Sequence, residues 1–495
     1  MTLTMKKRKE RAFAEHKPKW QRFQTTLMKP SGKSAAAAAS KAGSTGNKPT
    51  LHPYQRQYAH VYHQRLAALK PRCWQAFEEY YTSKHNNKGG DGEEAPVQME
   101  RILELRENVR SVVVGSVVKE GGGEILHKES RCQSKQSLFI EDESGRANIA
   151  VKNVHDFCTG MVLGFQGMVG SDGIFQVEHV FYPALPPHPV NNTDTSDDAE
   201  GDKEKEKESE TTMTPHLLLI SGLHCGDPNV SPLRRDLLLH YLRGNFTSDA
   251  AKVAHVIIAG GSTCSTTATH NDSPTVGLKE LDGFCFQVCA AGIPVDILPG
   301  KDDPTTANWP QRPLHNSLLK FTDQKLHHLL SRVPNPYGAV FCKDKYVLGT
   351  DGTNVTDLSK SLLTTRLASN SQDGNDDHDN DDANKNGLVP VSHMEALRRT
   401  LQCGHMCPTG PNTVPTMPHP ESDPMVIPEA PHIYFAGNCD SFETMLVEQP
   451  GNDNNNGDIK CRLVCVPSYA ETGVAVLVNL ETLEAESIHI ADPAI

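Results

Sequence analysis

The feature that most constrains this chain is a run of apolar residues that stops at a glycine and passes into a polar loop. It occurs four times, at LLLISGLHCG (217–226), HVIIAGGS (255–262), VDILPGKDD (295–303) and HIYFAGNCD (432–440). Runs of this kind, bounded by glycine, read as buried strands. Helical stretches alternate with them, as in SPLRRDLLLHYLRG (231–244), so the region from 214 onward predicts a layered α/β domain. In open α/β sheets the chemistry gathers where strands end. The loops that follow the four runs are therefore the first place to look for a site.

Upstream the pattern changes. RSVVVGSVVKE, SLFIEDESGRANIAV and MVLGFQGMVGSDGIFQVEHVFYP are β-rich, and ESGR and GSDG punctuate the last two. Five short strands between 101 and 190 predict an OB-type β-barrel. Such barrels often bind single strands through aromatic platforms and a basic groove. Here the strands offer few aromatics, among them Phe139, Phe165 and Phe175, alongside several acids including Glu141, Asp142 and Glu143, which favours a protein-contact barrel. Before it, residues 51–100 form a helical segment in which Tyr58, Tyr62, Leu66 and Leu69 recur at helical spacing.

Charge divides the rest. Residues 1–48 hold 12 Lys and Arg against two Glu, and a low-complexity stretch, SAAAAASKAGSTGNK, follows KKRKER (6–11). The segment 1–50 therefore reads as a disordered basic tail. Its basic cluster is read as a nuclear localisation signal, a loose nucleic-acid contact or a merely solvated run. An acidic linker at 191–213 and an acidic insert at 369–387 carry much of the net charge of -12, which argues against a chain that grips nucleic acid over most of its surface. No apolar run approaches the ~20 residues of a membrane span, and the first residues lack the apolar core of a secretory signal. The 13 Cys residues, an odd number, then predict reduced thiols in an intracellular chain. The Cys-x-x-x-Cys pairs read as buried apolar cysteines rather than as metal ligands.

Several motifs in order carry a resemblance: YQRQYAHVYHQRL from 54, the 292–319 segment, NPYGAVFCKDKYVLGTDGTNVTDL (335–358), His405, Pro408, Thr409 and Pro411 in LRRTLQCGHMCPTGPNT, PHIYFAGNCDSFET and RLVCVPSYAETGVAVLVNLETL. Together they resemble the B-subunit family of the replicative DNA polymerases alpha, delta and epsilon, and within it the delta branch of small, regulatory second subunits. The likeness runs from about 51 to 492, excluding the two acidic inserts. It implies a multidomain α+β and α/β chain, in which an OB-type barrel (101–190) accompanies an inactivated calcineurin-like phosphoesterase α/β sandwich (214–495).

An active member of that fold holds two metal ions on Asp-x-His, Gly-Asp, Gly-Asn-His-Asp/Glu and Gly-His-x-His elements. Here the matching positions read Gly222-Leu223-His224, Gly260-Gly261, Gly300-Lys301-Asp302-Asp303 and Gly437-Asn438-Cys439-Asp440. The carboxylates expected at 222 and 261 are glycines, and Lys301 brings an ammonium that repels divalent cations. The resemblance thus implies vestigial positions at Gly222, His224, Gly261, Lys301, Asp302, Asp303, Asn438 and Asp440, with no catalytic residue, no metal and no cofactor. The proline-rich loop after VDIL offers Trp309 and Leu314 as apolar groups beside Arg312, and is expected either to pack structurally or to contribute to a protein interface.

The functional expectation is a nuclear, non-catalytic scaffold subunit acting in DNA replication and repair synthesis. The implied partners are the catalytic subunit of DNA polymerase delta, through its C-terminal cysteine-rich module, and a third accessory subunit. DNA contact is mostly indirect and no membrane is involved. The alternatives are an active metallophosphoesterase with metal at His224, Asp302, Asp303 and Asp440, an OB-fold nucleic-acid-binding protein, and the B-type member of another replicative polymerase.

Overall fold

The computed structural model describes residues 14–19, 59–87, 96–120, 137–189, 214–246, 248–264, 275–365, 388–419, 422–450 and 458–490. KKRKER, the acidic linker around 193–212 and the acidic insert lie outside the described residues. In chain order the elements are β1 (His16–Pro18), α1 (Ala59–Asn87), β2 (Val97–Met99), β3 (Arg110–Glu120), β4 (Ser137–Glu141), β5 (Arg146–Ala150), β6 (Val162–Val169), β7 (Phe175–Phe181), β8 (His216–Ile220), α2 (Pro232–Leu242), β9 (Val253–Ala259), α3 (Thr275–Ala290), β10 (Val295–Leu298), α4 (Lys320–Leu326), β11 (Leu330–Arg332), β12 (Tyr337–Phe341), β13 (Lys345–Thr350), α5 (Thr353–Ser361), β14 (Leu363–Thr365), β15 (Leu388–Pro390), α6 (His393–Gln402), β16 (Ile433–Cys439), β17 (Glu443–Gln449), β18 (Ile459–Pro467), α7 (Tyr469–Thr472), β19 (Val474–Asn479) and β20 (Ala485–His489). They divide between two units. One takes the described residues between 52 and 185 and between 354 and 427, and the other takes 14–19, those between 186 and 353, and those from 428 onward.

In the first unit β3, β4, β5, β7 and β6 follow one another around a barrel that closes through β3–β6 pairing. The parallel pairing of β5 with β7 inside this otherwise antiparallel ring is the OB arrangement. β2 adds in parallel to β3, so the strand set begins at 97 rather than after 101. The turns fold as their residues dictate: the Asp142 carboxylate accepts from the N–H groups of Ser144, Gly145 and Ile102 and from the Ser144 hydroxyl, which ties the β4–β5 turn.

Helix α1 buries a stripe at Val61, Arg65, Leu69, Cys73 and Phe77, spaced four apart along one face. Leu66, Leu69 and Cys73 pack on Val114 and Val162 of the barrel, and Phe77 on Val112 and Phe181. Full burial of each such apolar side chain contributes roughly 1.5–3 kcal/mol.

The second unit is an α/β sandwich of two six-stranded sheets. One sheet runs β11-β10-β9-β8-β19-β20, with β8 to β11 parallel; the other runs β1-β12-β13-β16-β18-β17. Every residue of β8, β9 and β10 is buried, as expected for parallel strands covered on both faces. Alternate residues Leu218, Ile220, Val256, Ile258, Val295 and Ile297 join Leu238 of α2 and Leu281, Phe284 and Val288 of α3 in one core cluster. The opposite set meets the second sheet: Tyr337 of β12 hydrogen-bonds Asp296 of β10 at 2.8 Å.

Two boundaries expected from sequence are corrected. The segment 1–50 is not wholly a tail, because His16–Pro18 pairs antiparallel with Ala339–Phe341 and extends the second sheet. An exposed edge supplies the backbone partners that a short basic segment cannot find in itself. The region 214–495 is also not one unit, since 354–427 groups with the barrel. Carbonyls and a carboxylate from 408–423 satisfy the buried guanidinium of Arg65 on α1, and Val426 packs on the cluster that includes Leu66, Leu69 and Cys73 of the same helix.

Candidate functional site

The strand ends converge as the apolar runs predict, but their loops are bonded to one another. Gly222 N–H donates to Gly260 O at 2.9 Å, His224 N–H to Gly261 O at 3.0 Å, and Cys225 N–H to Ser262 O at 2.9 Å. Gly222 and Gly261 both take positive φ, +61° and +62°. A Cβ on Gly261 would lie 2.6 Å from Asn438 Oδ1 and 3.1 Å from Gly222 Cα; one on Gly222 would lie 2.9 Å from the same oxygen. The glycines are thus what lets these loops close, and a side chain at either position has no room.

Asn438 occupies the middle. Its backbone is left-handed, its N–H donates to Ser221 Oγ at 2.9 Å, and its amide nitrogen donates to Asp351 O at 2.9 Å and Ala259 O at 3.3 Å. Asp303 is buried and accepts four hydrogen bonds, from the N–H groups of Gly300 (2.8 Å), Thr263 (2.8 Å) and Ser262 (3.2 Å) and from Thr263 Oγ1 (3.0 Å). Burial pushes its carboxyl up, and these donors only partly oppose the shift. Lys301, Asp302 and Asp440 are exposed, and His224 is half-buried.

Of the eight positions expected from the resemblance to be vestigial, then, the structure brings together Gly222, Gly261 and Asn438, and ties Asp303 into the adjoining backbone. Two divalent ions need several convergent oxygen and imidazole donors. Among the described residues no three His, Cys, Asp or Glu side chains converge at these loops. The Asp303 oxygens already serve four donors and the Asn438 amide faces carbonyls, so these residues do not fit a two-metal centre.

The loop after β10 turns inward. Trp309 and Leu314 are each 2% exposed, and Leu314 belongs to the core of helices α2 and α3, so neither stands free as an apolar anchor; Arg312 is exposed. Gln311, which the sequence did not single out, pairs with Asn335 through both backbones and through Asn335 Nδ2 to Gln311 Oε1 at 2.8 Å. Asn335 Nδ2 also donates to Asp351 Oδ1, and Thr353 Oγ1 to Asp351 Oδ2. The Asn-Pro-Tyr and Gly-Thr-x-Gly elements therefore meet in one buried network.

The other unit has its own polar centre. Arg65 Nε donates to Asp423 at 2.9 Å, Nη1 to Gly160 O and Pro408 O, and Nη2 to Gly410 O; His405 lies 2.8 Å from the same carboxylate. Burial, with Arg65 nearby, pushes His405 down to about 4. Asp423 stays well below the usual carboxylate range, because His405 and Arg65 outweigh a burial that alone would raise it. The sequence marked this centre twice, by a cation on an apolar helical face and by the His405 and Pro408 motif positions, and the aromatic stripe drew attention from the first. Of the barrel aromatics, Phe165 and Phe175 are buried and Phe139 carries the Arg146 guanidinium 3.7 Å from its ring centre.

Comparison with known proteins bears on both units. Residues 217–444 match the B-subunit family of DNA polymerases alpha and epsilon, and residues 57–180 match the OB-fold domain of the DNA polymerase delta subunit. The DNA polymerase delta small subunit of Arabidopsis thaliana is 30% identical over 71% of this chain and 72% of its own length. DNA polymerase delta subunit 2 of Drosophila melanogaster is 29% identical over 89% and 94%, and the small subunit of Saccharomyces cerevisiae 25% identical over 88% and 90%.

Proposed function

Because the chain belongs to the DNA polymerase delta small-subunit family, we propose that it acts without catalysis of its own as an accessory subunit of a polymerase delta complex in the nucleus. In this reading it joins the catalytic subunit, through that subunit's cysteine-rich C-terminal module, to a third accessory subunit during replication and repair synthesis. The observation that carries the non-catalytic part is the saturation of Asp303 by four donors beside the side-chain-free pair Gly222 and Gly261. A phosphoesterase fold without its metal ligands keeps rigid strand ends and a large surface, which suits it to holding other chains.

DNA contact in this reading is mostly indirect. The net charge is -12 and three of the four Phe residues of the barrel strands, Phe165, Phe175 and Phe181, are buried, which leaves little for a single strand to stack on. No described helix is long and apolar enough to cross a membrane.

Affinity purification of the full chain from its own cells, with mass spectrometry of the chains that accompany it, tests the proposal. Recovery of a DNA polymerase delta catalytic chain in near-equal amount, stable to high salt, supports it. Recovery of the chain without any polymerase subunit overturns it.

A further inference from the structure

Between the two sheets of the sandwich, away from the strand-end loops, three metal-ligand side chains converge. His255 lies on β9, Asp296 on β10 and His16 on the added edge strand β1. The Nε2 atoms of His16 and His255 each stand 3.2 Å from Asp296 Oδ2, and one ligand atom from each residue lies within 4.8 Å of the other two. We propose that these three residues bind one divalent transition-metal ion of the zinc class, and that the ion clamps β1 onto the sandwich.

The burial of the group demands an explanation. Asp296 is 0% and His255 3% exposed, in strands that are otherwise apolar. His255 Nε2 and Asp296 Oδ1 are buried with no hydrogen-bond partner, the 3.2 Å approach lacking the alignment of a hydrogen bond. Buried polar groups left in this state are costly. An ion placed among them would take the imidazole lone pair and the carboxylate charge together.

The spacing suits such an ion. Metal bonds of about 2.0–2.1 Å in a tetrahedral site put neighbouring ligand atoms roughly 3.3 Å apart, close to the two 3.2 Å separations. Two imidazoles and one carboxylate are donors that zinc and its neighbours in the first transition row accept. The carboxylate is also oriented from outside the ligand set, since the Tyr337 hydroxyl donates to Asp296 Oδ2 at 2.8 Å. Phe341 walls the group, with ring centres 4.8 Å from His16 and 5.2 Å from His255. The site is thus built from the second sheet as well as the first, and one of its ligands comes from a segment otherwise rich in Lys and Arg.

The test uses the purified full chain, stripped with a chelator and titrated with Co²⁺ and then Zn²⁺. The expected result is one Co²⁺ per chain, with visible d–d absorption and no sulfur-to-metal charge-transfer band, displaced by Zn²⁺. In His16→Ala, a change on an edge strand, affinity should fall about tenfold or more. Hydrogen exchange at residues 14–19 should slow on Zn²⁺ addition in the wild-type chain and not in the variant. Failure of the folded wild-type chain to bind, a thiolate charge-transfer band, or equal binding by His16→Ala would each overturn the proposal.

Discussion

Asp296 and Asp303 stand on either side of one strand end, are both buried, and are used in opposite ways. Asp303 lies at a strand-end loop, where the sequence resemblance directs attention, yet it is spent on four backbone and hydroxyl donors. Asp296 lies within the strand, where no chemistry is expected, and faces two imidazoles and a phenol while one of its oxygens has no hydrogen bond. Their acidities diverge accordingly. Burial raises Asp303, whereas at Asp296 the same burial is outweighed by His255 and His16, which hold it well below the usual carboxylate range. A carboxylate's place in a fold is therefore a poor guide to its task; its donor count is a better one.

The comparison can be broken most directly at Asp303. Asp303→Ala strands four donors at about 1–3 kcal/mol each before relaxation, so the sandwich should lose at least about 4 kcal/mol in denaturant unfolding. Asp303→Asn, which keeps an acceptor, should lose clearly less. Equal, small losses in both would show that the loops do not depend on this carboxylate.

Restoring what the loop lacks gives a second test. Gly261→Asp puts a Cβ 2.6 Å from Asn438 Oδ1 in a left-handed backbone, which should cost about 2–4 kcal/mol. A stable variant that gains manganese-dependent phosphodiesterase activity would mean that the loops can open for metal.

At Asp296 the expected effect depends on the ion. Zn²⁺ at about 100 times its Kd should stabilise the wild-type chain by about 2.7 kcal/mol, and Asp296→Asn should lose that gain. An equal gain in both would separate the carboxylate from any ion.

A third buried aspartate, Asp423, sharpens the contrast through pH. His405 beside it is pushed down from 6.5 to about 4, so between those values the unfolded chain takes up a proton that the folded one refuses. Stability should therefore fall on acidification, by about 2 kcal/mol between about pH 7 and 5. Asp423, held low, contributes stability that is present above its unfolded value of 3.8 and lost only below it. A His405→Gln chain with an undiminished slope across that range would refute this assignment.

Much of this was legible in the residues. The four glycine-terminated runs become β8, β9, β10 and β16, and the barrel strands fall where ESGR and GSDG punctuate them. Short-range pattern reveals such elements because each is specified by its own residues. What it misses is set by partners distant in sequence. β1 exists only through pairing with 339–341. The grouping of 354–427 with the barrel involves contacts distant in sequence, carbonyls supplied to Arg65 and Val426 packed on the apolar cluster of the same helix. The saturation of Asp303 is invisible because its donors are backbone. His255 and Asp296 did leave a signal, a polar residue within each of two apolar strands, and that signal is the cheapest sequence mark of a buried site.

The account rests on the strand-end loops being unable to assemble a metal centre. Phosphodiester hydrolysis measured in manganese on the purified full chain beside His224→Ala addresses this directly, since His224 is the one imidazole that remains in the resembling elements. The account predicts the same background rate from both proteins. Metal-dependent turnover by the wild-type chain that His224→Ala abolishes would contradict it.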